Sequence, residues 1–135
     1  MKILLTAINA KYIHSNLAVY SLKAYAQSRV TDSDTEIALA EYTINQQTDD
    51  ILMDIYRRKP DVLCFSCYIW NIEQTRKLAA DLKLACPNLL LAVGGPEVSS
   101  QGPAFVQQNP WVDFLLRGEG EYPFYRLCQD RKSVV

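Results

Sequence analysis

No apolar run in this chain approaches the length needed to cross a bilayer. The N-terminal stretch Met1-Lys2-Ile3-Leu4-Leu5 is too short to be a secretion signal and reads as a first strand. Neither sign of charge is in excess. Fourteen basic and fifteen acidic residues give a formal charge of -1, which provides no electrostatic footprint for nucleic acid. No G-x-G-x-x-G follows the first apolar run and no G-x-x-x-x-G-K-[ST] occurs, so the dinucleotide fingerprint and the P-loop are both missing. A phosphoacceptor aspartate is absent from the end of the third apolar run, where Ser66 and Cys67 stand instead. The loop Ala7-Ile8-Asn9-Ala10-Lys11 lacks the serines and threonines that cradle a flavin phosphate. There is no internal repeat and no low-complexity stretch.

Cysteine is sparse, with four residues at 64, 67, 86 and 128. A chain of 135 residues can build its own core and needs no disulfide, which points to a reducing, cytoplasmic setting. Cys64-Phe65-Ser66-Cys67 has C-x-x-C spacing, but Cys64 falls inside an expected strand rather than at a helix N-terminus. Two strand residues three apart point to opposite faces, so both read first as small buried hydrophobes. The alternative, a reactive or ligating thiol, falls to Cys67, nearest the edge.

What is present is alternation. Apolar runs at residues 2–8, 36–42, 61–67, 89–93 and 112–116 are separated by helical patterns, which predicts a parallel sheet with crossover helices. The first helix carries Leu17, Ala18, Leu22 and Tyr25, with Ser15 or Asn16 as its cap. The second carries Ile51, Leu52, Ile55 and Tyr56, ends in Arg57-Arg58-Lys59, and is stopped by Pro60. The third carries Leu78, Ala79, Leu82 and Ala85, with Asn71 and Gln74 spaced as a capping box. A short helix at 103–108 and a last one with Phe124, Leu127 and Cys128 complete the pattern. Five strands and right-handed crossovers predict a doubly wound α/β fold of flavodoxin-like, Rossmann-like order 2-1-3-4-5, with helices on both faces. The loops 9–15, 66–71, 94–102 and 117–122 then share one edge of the sheet.

Four of the five glycines form two clusters on that edge, Gly94-Gly95 and Gly118-x-Gly120, each behind an apolar run. Glycine removes side-chain bulk, and open α/β sheets bind ligands outside their strand ends. Tyr68 and Trp70 sit on the third loop, where they either stack on a planar ligand or cover the sheet end.

Three segments carry a resemblance. These are Pro60-Asp61-Val62-Leu63-Cys64-Phe65-Ser66, Val93-Gly94-Gly95-Pro96-Glu97, and Asp113-Phe114-Leu115-Leu116-Arg117-Gly118-Glu119-Gly120-Glu121. In this order, at these strands, the chain resembles the N-terminal cobalamin-binding domain of cobalamin-dependent radical S-adenosylmethionine proteins. The run from Asn9 to Ala18 is similar to one branch of the same family. The resemblance covers nearly the whole chain and implies one domain, residues 1–135, forming the N-terminal part of a longer protein.

It implies cobalamin as the cofactor, its corrin over the sheet edge and its nucleotide tail between the sheet and a flanking helix. Gly94 and Gly95 would provide the gap for the tail, and Ser66 a hydrogen bond. Asn9, Glu97, Glu119 and Glu121 would meet the corrin amides, with Ser15, Cys67, Tyr68 and Gly118 lining the same edge. Family members that replace the lower cobalt ligand use D-x-H-x-x-G after the first strand. Here the frame reads Tyr12-Ile13-His14-Ser15-Asn16-Leu17. His14 stands in the ligand position, while the aspartate that would orient it and the glycine are replaced. It is a candidate cobalt ligand or a residue that lines the loop.

The cluster motif C-x-x-x-C-x-x-C is absent. A 4Fe–4S cluster, S-adenosylmethionine and the radical chemistry, a methyl transfer or rearrangement on an unidentified substrate, are therefore expected in a downstream barrel, the partner of this domain. Two rival readings are a domain that kept the fold without the cofactor and docks substrate or partner, and the methylthiotransferase N-terminal domain. The latter needs a cysteine after the first strand, where residues 9–14 have none.

Overall fold

In the computed structural model, which describes residues 1–10, 17–31, 34–118 and 120–130, the apolar runs become strands with both faces covered. They are β1 (Lys2–Asn9), β2 (Glu36–Thr43), β3 (Val62–Ser66), β4 (Leu90–Gly94) and β5 (Phe114–Leu116). All neighbouring pairs are parallel, in the order β2-β1-β3-β4-β5. The predicted doubly wound sheet is therefore the observed one, and β2, expected near an edge, is an edge strand.

Alternation along each strand divides the core in two. Leu4, Ile8, Leu63, Phe65, Leu91 and Val93 face α2 (Thr48–Arg58), α3 (Ile72–Ala85) and α5 (Pro103–Gln108). Ile3, Leu5, Ala7, Val62, Cys64 and Ala92 face α1 (Leu17–Gln27) and α6 (Glu121–Asp130). Between β4 and α5 lies one helix the sequence pattern did not predict, α4 (Pro96–Ser99). Proline at its first position presets the helical φ, which lets a single turn form directly behind Gly95.

The expected capping box at Asn71 is not made. The Asn71 Oδ1 accepts from the Tyr68 backbone N–H at 2.9 Å, and its Nδ2 donates to the carbonyls of Ile8 at 3.0 Å and Ser66 at 3.1 Å. Gln74 turns away and donates to Gln46 and Thr48. Asn71, 1% exposed, thus staples the ends of β1 and β3 to the loop between β3 and α3. Asn71→Ala would take the side-chain partner from the Tyr68 N–H and the Ser66 carbonyl, while the Ile8 carbonyl keeps the Trp70 indole N–H. The expected cost is about 2 kcal/mol, read as a lower urea midpoint with an unchanged m-value.

Candidate functional site

Because every strand runs the same way, the C-terminal ends of β1, β3, β4 and β5 meet along one edge. A cavity of about 240 Å³ opens there, on the α1 side of the sheet. Its sheet wall is Leu5, Cys64, Ser66, Gly94 and Leu116, and its helix wall is Ala18, Val19 and Leu22. The loops above contribute Tyr68, Gly95, Pro96, Ser99, Gly118 and Gly120. Pockets for whole small-molecule ligands hold roughly 300–1,000 Å³, so this is a slot for part of a ligand.

The two adjacent glycines hold the slot open in different ways. In β4, Gly94 is in register with Ser66 on one side and Leu116 on the other. A β-carbon there would touch Leu116 at 3.4–3.5 Å, so the missing side chain is empty slot rather than packed protein. Gly95 has φ of 101°, and a β-carbon on it would sit 2.5 Å from the Cys67 carbonyl oxygen. The Cys67 N–H donates to the Gly94 carbonyl at 2.7 Å, and the Glu97 N–H donates to the Cys67 carbonyl at 3.3 Å. Gly95 is thus the point where two loops cross at backbone contact. Gly118 and Gly120 also have positive φ, and Gly120 passes over Leu22 of α1.

Of the residues singled out from the sequence, Ser66, Tyr68, Gly94, Gly95 and Gly118 line the slot. Asn9 lies on the same edge, but its side-chain amide donates to Glu41 at 3.2 Å. Glu97 and Glu121 begin α4 and α6 on this edge, outside the slot wall. Cys67 is fully buried with its thiol in the opposite core, so it offers the slot side only backbone. His14, Ser15 and Glu119 lie outside the described residues. Burial pushes the Cys67 thiol up to about 12 and the Cys64 thiol well above its ordinary value, so neither ionises near neutrality. Among the described residues no cluster of three metal-ligating side chains forms.

Tyr68 and Trp70 stack on each other, with centroids 4.5 Å apart and planes 6° from parallel. The Trp70 indole N–H donates to the Ile8 carbonyl at 3.3 Å, which pins the pair beside the end of β1. Trp70 is 46% and Ile69 78% exposed, so this loop presents apolar surface, although neither residue is part of the slot wall.

The residues that sequence reasoning missed are those of the helix wall. Ala18 and Leu22 were legible as an apolar stripe, but a stripe against a slot has the same period as one against a core. Ser99 carried no signal, because α4 did not.

The sequence that forms this sheet and slot matches the family model of the B12 binding domain over residues 3–128. The chain belongs to the B12-binding domain family. Over 75 residues this domain is 43% identical to the cobalamin-dependent radical SAM methyltransferase TokK of Streptomyces tokunonensis, covering 56% of the chain and 11% of that protein. Over 72 residues it is 42% identical to a 2-(S-pantetheinyl)-carbapenam-3-carboxylate methyltransferase of Streptantibioticus cattleyicolor, covering 53% and 11%. The match thus spans about a tenth of the length of these relatives. Among solved structures, the cobalamin-dependent S-adenosylmethionine radical enzyme OxsB with aqua-cobalamin and S-adenosylmethionine bound superimposes at a TM-score of 0.77. The identity is 16%, over 99% of the chain and 19% of OxsB. The radical S-adenosylmethionine methyltransferase TsrM of Kitasatospora setae gives 0.75 at 14% identity, over 98% and 26%. At these identities the two structures establish the fold of this B12-binding domain.

Proposed function

We propose that this B12-binding domain holds cobalamin with its nucleotide tail in the slot beside Gly94, as the cofactor module of a radical S-adenosylmethionine enzyme. The observation that carries this reading is the slot itself. The strand β4 ends on a residue with no side chain, and the space it leaves stays open between α1 and the sheet.

The residues present fit the cofactor. Planar tail bases are apolar on both faces, and Leu5, Val19, Leu22 and Leu116 supply apolar walls that exclude water from them. Ser66 lies at the end of β3, level with Gly94, and Tyr68 lines the slot just beyond it, where a polar edge would meet the Ser66 hydroxyl. The corrin, too large for the slot, would rest outside it, where the loop after β3 exposes the side chains of Ile69 and Trp70. Bound cobalamin would supply a cobalt centre able to carry a methyl group.

The relatives' names favour methyl transfer as the parent reaction. A 4Fe–4S cluster and S-adenosylmethionine would belong to a barrel in the same protein. Four free cysteines, three of them buried, suit a reducing cytoplasm, and among the described residues no helix is long and apolar enough to cross a membrane.

The test is titration of the chain with hydroxocobalamin, then visible absorbance after desalting. Retained corrin absorbance at about one equivalent is expected. No retention would favour a domain that keeps the fold without the cofactor. If His14 ligates cobalt, His14→Ala shifts the bands of the bound corrinoid. An unshifted spectrum removes His14 from the cobalt and leaves the binding reading intact.

A further inference from the structure

The slot is not lined evenly. Its hydroxyl-bearing residues are Ser66, the last residue of β3, and Tyr68 and Ser99, which lie beyond the strand ends. One pleat further in, Leu5 and Cys64 stand opposite each other in register on β1 and β3. Val19 and Leu22 of α1 close the facing wall. A group inserted between α1 and the sheet therefore meets Ser66 at the level of Gly94, with Tyr68 and Ser99 beyond it, and the side chains below are only hydrocarbon and a protonated thiol.

This gradient has a consequence for the ligand, resting on the cobalamin reading above. Cobamides share the corrin ring and differ in the base that ends the tail. Dimethylbenzimidazole carries methyl groups on its six-membered ring, where adenine carries ring nitrogens and an exocyclic amine. Methyl groups gain from burial against hydrocarbon. An amine or ring nitrogen placed there loses water and finds no partner. We propose that the slot selects cobamides by their lower base, taking a benzimidazole and rejecting a purine, with Leu5 and Cys64 as the specificity-determining residues.

The experiment compares three corrinoids on the purified chain by equilibrium dialysis with absorbance detection. They are hydroxocobalamin, the corresponding adeninylcobamide, and cobinamide, which has no tail. Hydroxocobalamin is expected to bind about 10-fold or more tighter than adeninylcobamide, with cobinamide weakest. Cys64→Ser keeps the volume nearly constant and offers the amine a hydroxyl, so the preference should narrow by about threefold or more. Leu5→Thr offers a hydroxyl from the neighbouring strand and serves if the first variant does not fold. Adeninylcobamide binding as tightly as hydroxocobalamin, or cobinamide doing so, overturns the selector while cobalamin binding stands. An unchanged preference in folded variants of both positions removes Leu5 and Cys64 as its determinants. Retention of none of the three overturns the cobalamin reading itself, and the selector with it.

Discussion

Gly94→Leu is expected to keep the fold and lose the ligand. The residue ends β4 with ordinary φ, so a side chain imposes no backbone strain. Its β-carbon would find van der Waals contact with Leu116, and everything beyond that carbon would extend into the slot. In the ligand-free protein the leucine fills empty space and removes a glycine's backbone freedom from the unfolded chain, both of which favour the folded state. The unfolding midpoint should stay level or rise. With cobalamin the same side chain occupies the volume of the tail. Overpacking of this kind costs about 1–3 kcal/mol, which corresponds to about 5- to 150-fold weaker binding. Gly94→Ala should lose far less. The measurement is a hydroxocobalamin titration beside a thermal melt of each variant. Undiminished binding by Gly94→Leu would place the ligand elsewhere.

The neighbouring substitution, Gly95→Ala, should do the opposite and damage the fold whether or not ligand is present. At φ of 101° an alanine is strained, by about 1–3 kcal/mol for such a backbone. Its β-carbon would also press on the backbone of Cys67, at 2.5 Å from the oxygen and 2.8 Å from the nitrogen. That backbone cannot step aside freely, because its N–H is bonded to Gly94 and its carbonyl receives the Glu97 N–H. The combined loss is expected at about 3 kcal/mol or more, which for a domain of this size lowers the melting temperature by about 10 °C. A melt that moves by less than a few degrees would show that the loop crossing can open. Paired with Gly94→Leu, the variant separates two adjacent glycines whose roles no composition argument distinguishes.

That pair also shows how far the sequence could be read. Two glycines behind a buried strand announced a working edge, and the order of the apolar runs announced the parallel sheet they end. The sequence could not say which glycine faces a ligand and which faces protein. The difference lies in the position of Cys67, whose loop crosses Gly95 only after β3 and β4 have paired. Asn71 was read as a helix cap from its spacing to Gln74. It serves instead as a staple, because the free carbonyls of Ile8 and Ser66 come within its reach once β1 and β3 are adjacent. Cys67 was placed at the site for its position near a strand end, yet alternation sends its thiol to the far core.

By itself the sequence determined the class of fold, the strand order and the edge at which the slot opens. Those follow from period, from right-handed crossovers and from where side chains are missing, all of which are local properties of the chain. The tertiary structure alone decided that the slot lies on the α1 face, that Val19, Leu22 and Ser99 line it, and that its depth is apolar while its mouth is not. An apolar stripe on a helix has the same spacing over an empty slot as over a filled core, and only the distance between helix and sheet tells the two apart.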